Sequence, residues 1–89
     1  MRPLLITYDL IKPGQNYSEL IDAIKDLGTW AHPLKSVWIV ITSDSCADVR
    51  NKLSVHIDGN DKLLVVPLAD GWASRNLSKN ITDWMHKNL

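Results

Sequence analysis

The stretch from Leu4 to Tyr17 constrains this chain more than any other. The apolar run Leu4-Leu5-Ile6-Thr7-Tyr8 stops on Asp9 and soon breaks into Lys12-Pro13-Gly14-Gln15-Asn16-Tyr17. A short apolar run bounded by Pro3 and a Pro-Gly turn has the length and flanks of a buried strand. Its end places a carboxylate where a side chain leaves the packed sheet while the scaffold still holds it, a usual position for ligand and metal contacts.

Helical spacing follows at once. Tyr17, Leu20, Ile21, Ile24 and Leu27 line one face, Ser18 is the expected N-cap, and Gly28 stands where a left-handed C-cap is wanted. Thr29–Leu34 contains Pro33, which restricts it to a short peripheral strand. Lys35-Ser36 then turns into Val37–Thr42, a β-branched run that is expected to pair with it as an antiparallel hairpin. A second helix is expected from the cap Ser45, with Asp48 three residues on, through Cys46, Val49 and Leu53 towards Val55. After the turn Asp58-Gly59-Asn60-Asp61, Lys62–Leu68 forms the fourth strand on Leu63-Leu64-Val65-Val66.

The order β-α-β-β-α-β with right-handed crossovers predicts a ferredoxin-like α+β domain. Its four strands form one antiparallel sheet with both helices on one face. One domain spans residues 1–89, and the tail from about 69 to 89 is its docking segment. Leu77, Ile81, Trp84 and Met85 fall on one side of a helix started by Ser78, so that helix must cover the bare sheet face or pack on a partner.

Composition narrows the setting. Charge balances at formal zero with a pI near 6.8, which argues against wrapping nucleic acid through bulk positive charge. The lone cysteine, Cys46, allows no internal disulfide, and no apolar run approaches the roughly 20 residues of a membrane span. Asp9 and Pro13 interrupt the first apolar run too early for a signal peptide, so a cytoplasmic protein is expected.

The topology gathers Asp9, Gln15, Tyr17, His32, Ser36, His56 and Asp61 at one end of the sheet. Asp9 and Asp61 are hard oxygen donors suited to Mg²⁺ or Mn²⁺, and such an ion would activate water or polarise a phosphate. Each residue also has a structural reading. Asp9 and Asp61 suit turns, His32 suits packing beside Trp30, and His56 suits a helix C-terminus. Ser36 has no base beside it, and no glycine-rich phosphate loop or zinc-type Cys/His spacing occurs. Four tryptophans stand in a chain without phenylalanine. Trp38 points to the face opposite Val37 and Ile39. Trp30 and Trp72 lie in loop-like contexts, where they suit stacking on bases or an interface.

Tyr8-Asp9 ending the first strand, the helix stop at Gly28, and Ser36-Val37 entering a long strand resemble the second CRISPR-associated protein family, as far as strand 4. Tyr8-Asp9-Leu10, Lys12 to Tyr17, His32-Pro33-Leu34-Lys35-Ser36-Val37-Trp38 and Gly71-Trp72-Ala73 more closely resemble the small bacterial and phage proteins labelled SinR-like. The wider resemblance implies a homodimer of a defence system. In it a strand-1 aspartate, matched by Asp9, is both catalytic residue and metal ligand, sharing one divalent ion with its symmetry mate for phosphodiester hydrolysis in RNA or DNA. Tyr8, Lys12, Gln15, Tyr17, His32 and Ser36 are the accompanying candidates for substrate or partner contact. Lys12 stands alone where that family carries several basic residues. The alternative is a non-catalytic interaction module, a phage or mobile-element dimer that binds a protein partner through its tryptophan-rich surface.

Overall fold

Four strands pair into one antiparallel sheet in the computed structural model, which describes residues 1–11 and 17–89. The elements are β1 (Arg2–Asp9), α1 (Ser18–Lys25), β2 (Thr29–Leu34), β3 (Val37–Thr42), α2 (Cys46–Ser54), β4 (Lys62–Pro67) and α3 (Lys79–Asn88). Strand order is β2-β3-β1-β4, the ferredoxin-like order expected from the sequence, with a C-terminal helix added. The expected turn at Lys12–Asn16 lies outside the described residues.

Alternation along the strands divides the side chains between two faces. Leu4 and Ile6 of β1, Trp38 and Val40 of β3, Leu20 and Ile24 of α1, and Val49 and Leu53 of α2 form one fully buried cluster. Burying each large apolar side chain contributes about 1.5–3 kcal/mol as an upper estimate. Trp38 is 2% exposed and points away from Val37 and Ile39, as its position in the run requires. Its indole N–H donates to the Tyr8 hydroxyl at 3.0 Å, so the buried donor is satisfied.

Three local expectations change. The residue capping α1 is Tyr17 rather than Ser18. Tyr17 makes no side-chain cap bond, and its carbonyl accepts the Ile21 N–H at 3.1 Å. Gly28 does not take a positive φ. It is needed because a Cβ there would lie 2.1 Å from the Ile41 carbonyl oxygen, where the chain enters β2 against β3. Trp30 lies within β2 rather than in a loop, with its ring 5.3 Å from that of Trp38.

Other expectations match. Ser45 caps α2 by accepting the Asp48 N–H at 3.1 Å, and Ser78 caps α3 by accepting the Ile81 N–H at 3.3 Å. Beside the first cap, Asp44 accepts a hydrogen bond from Lys52 Nζ at 2.6 Å, which holds that ammonium above its ordinary pKa. β2 is an edge strand, and its register slips between Ala31 and Leu34. That irregularity accommodates Pro33, which has no N–H to give a ladder.

The tail docks on its own chain. α3 packs against β2, Met85 is 6% exposed, and Trp84 Nε1 donates to Thr29 Oγ1 at 3.2 Å. This covers the β2 side of the face opposite α1 and α2, and leaves the β1–β4 side bare, with Leu64 56% exposed.

Candidate functional site

The candidate site begins with Asp9, which ends β1 opposite Lys62 of β4. Alternation sends its side chain to the face that carries Leu5 and Thr7, away from α1 and α2. It is exposed and lines a surface depression of about 220 Å³ at the sheet end, with Thr7, Tyr8, Lys62, Leu63 and Leu64. Among the described residues the Asp9 carboxylate makes no hydrogen bond or ion pair, so its oxygens remain available as hard donors.

Asp61, one residue before the partner of Asp9, has a different role. Its Oδ1 accepts the Ile11 N–H at 2.8 Å, and its Oδ2 accepts the Tyr17 hydroxyl at 3.2 Å and the Asp58 N–H at 2.8 Å. One carboxylate therefore ties the end of β1 and the start of α1 to the turn before β4. The Asp58-Gly59-Asn60-Asp61 turn marked it as a turn residue, and the Asp61 N–H does donate to the Asp58 carbonyl at 3.1 Å. The link to Ile11 and Tyr17 has no local sequence signal, because those partners lie 50 and 44 positions away.

The remaining described candidates lie on the helix side of the sheet or in the turn beside it. Tyr8 and Tyr17 pack against the buried cluster on the helix side. His32 stacks on Trp38, with ring centroids 3.8 Å apart and planes 10° from parallel, and its Nε2 lies 3.0 Å from the Lys35 carbonyl oxygen. His32, Trp38 and Tyr8 thus form a continuous line across β2, β3 and β1. Ser36 takes part through its carbonyl, which accepts the Tyr8 N–H at 3.3 Å and extends the β1–β3 pairing. His56 Nδ1 lies 3.7 Å from a Glu19 carboxylate oxygen, linking the end of α2 to the first turn of α1. Lys12 and Gln15 lie outside the described residues.

Topology therefore brings the described candidates to one end of the sheet, but the pleat separates Asp9 from Tyr8, Tyr17 and His32. Among the described residues no group of three or more His, Cys, Asp or Glu side chains gathers to hold a metal. Asp9 supplies one hard oxygen donor, whereas Mg²⁺ and Mn²⁺ retain waters and take one or two protein carboxylates beside substrate phosphates. Among the described residues no helix is long and apolar enough to cross a membrane.

No family model matches the chain. A crystal structure described as a hypothetical protein, TT1823 from Thermus thermophilus, is similar to this chain with a TM-score of 0.66 and 21% sequence identity. The match covers 86% of this chain and 94% of that one, and at this identity it speaks for the fold alone.

Proposed function

We propose that the protein is a homodimer whose bare β1–β4 faces meet, bringing Asp9 of each copy to one shared Mg²⁺ or Mn²⁺ for phosphodiester hydrolysis in RNA or DNA. One observation carries this reading: Asp9 is an exposed strand-end carboxylate without an intramolecular partner among the described residues, and it borders the half-exposed Leu64 on the bare face. A carboxylate left unused by the fold is available for a ligand, and the apolar neighbour favours burial against a second copy. The resemblance of Tyr8-Asp9 and the following segments to the second CRISPR-associated and SinR-like families supports the same assignment. When bound, such an ion supplies Lewis-acid polarisation of a phosphate. Asp9 holds it, and Lys62, the register partner of Asp9, offers a cation to the substrate backbone.

The second reading is a cytoplasmic protein-binding dimer without catalysis. It is favoured by Asp61, whose two oxygens are already engaged by three donors, so that of the two candidate carboxylates Asp9 alone is left for a metal.

Light scattering, metal titration and a panel of end-labelled single-stranded and duplex RNA and DNA, run on wild type and Asp9→Ala, test both readings. The nuclease reading expects a two-chain mass, heat of Mn²⁺ binding in the wild type only, and cleavage lost in the variant. A two-chain mass with no metal binding and no cleavage leaves the interaction module. A single-chain mass at micromolar concentration removes both.

A further inference from the structure

The tail creates a second site on the same face as Asp9 but on the β2–β3 side. A groove of about 360 Å³ lies between the sheet and the segment that leads into α3. Val37 and Ile39 form its floor, Leu77 and Met85 its wall, and Leu34, 57% exposed, its rim. The volume lies at the lower end of the roughly 300 to 1,000 Å³ range of ligand pockets. Arg75 is the one charged residue among those lining it. Its guanidinium makes no hydrogen bond or ion pair among the described residues.

The wall has a defined shape. Asn76 holds φ at 65°, in the left-handed region, and Ser78 accepts the Ile81 N–H to start α3 immediately afterwards. Asparagine adopts that region readily, through local hydrogen bonding of its short side chain. Here the conformation places Arg75 and Leu77 beside the same groove.

We propose that this groove docks an apolar segment of a partner protein that carries an acidic side chain, the apolar group on Val37 and Ile39 and the carboxylate on Arg75. Charge complementarity selects this occupant. A guanidinium presents a fork of N–H donors matched to a carboxylate. A neutral apolar segment would leave that fork unused, and a basic one would be repelled. The site is separate from Asp9 and does not depend on phosphodiester chemistry.

The test is a titration of the uniformly ¹⁵N-labelled full chain with the blocked peptide acetyl-Leu-Leu-Glu-Leu-amide and its glutamine counterpart. The expected result is amide shifts at Ser74, Arg75, Leu77 and Val37. The glutamate peptide should bind more tightly by up to about fivefold, the upper end of an exposed ion pair, and Arg75→Gln should abolish that preference. Equal affinity for the two peptides, or no shift of these amides at the solubility limit, overturns the proposal. Concentration-dependent shifts of the same amides without peptide also overturn it, because they assign the groove to a second copy of the chain.

Discussion

The Tyr17 hydroxyl donates to Oδ2 of Asp61 across 3.2 Å, joining residues 44 positions apart. Through this bond, and the Ile11 N–H on the other oxygen, Asp61 holds both sides of the connection between β1 and α1. The candidate site at the end of β1 is therefore supported by a residue of the β4 approach.

Asp61→Asn should destabilise the fold. An amide supplies one acceptor oxygen where three donors converge, and its NH₂ faces at least one of them. A loss of about 1–2 kcal/mol is expected for these bonds, two of them partly buried and that of Ile11 exposed, a fall in Tm of roughly 5–15 °C for a domain of this size. Tyr17→Phe removes one of the bonds and should cost less. Thermal melts of both variants check the ranking, and an Asp61→Asn melt that overlays the wild type removes the supporting role.

Gly28→Ala should be among the most damaging substitutions of a small residue. The added Cβ meets the Ile41 carbonyl oxygen at 2.1 Å, and a backbone atom in a strand pair has no rotamer to change. A cost of about 1–3 kcal/mol or more is expected, because the hairpin must shift bodily. Urea unfolding measures it. A midpoint equal to wild type would rule out the close approach of Gly28 to β3 as the reason a glycine stands there.

Tyr8→Phe isolates the polar contact inside the apolar cluster. It removes the acceptor of the Trp38 indole N–H while leaving the ring volume almost unchanged. Since Trp38 is 2% exposed, its N–H finds little water, and a loss of about 1–3 kcal/mol is expected. Chemical unfolding followed by tryptophan fluorescence reads the change. A neutral result would assign Tyr8 to the surface chemistry of the site instead of to the core.

Removing α3 by truncation after Leu77 exposes the face over which Met85 packs. The expected outcome is a sharply lowered Tm or an insoluble chain. Met85→Ala serves as the milder test, with a loss of about 2–4 kcal/mol. If both proteins melt within a degree or two of wild type, α3 is a detachable arm and the wall of the Arg75 groove goes with it.

Much of the architecture was legible in the linear chain because its signals are local. Val37–Thr42 is β-branched and alternates, Ser45 and Ser78 stand at cap positions, and Pro33 confines β2 to an edge. These features act through the backbone within a few residues, so they survive without knowledge of the rest of the molecule. The direction of Trp38 was likewise determined by strand alternation alone.

Tertiary structure decided what depends on residues far apart. Gly28 suggested a left-handed cap, but its reason is the carbonyl of Ile41, 13 positions on, which only the hairpin brings close. Asp61 was legible as a turn former, whereas its bonds to Ile11 and Tyr17 exist only once β4 lies beside β1. The tail's apolar stripe required a partner surface without naming it, and packing supplied β2 of the same chain. Asp9 was legible as a strand-end carboxylate from its neighbours in sequence. Its separation from Tyr8 and Tyr17 follows from the pleat and from the helices taking one face, so the sequence determined the elements while long-range packing determined which side chains share a surface.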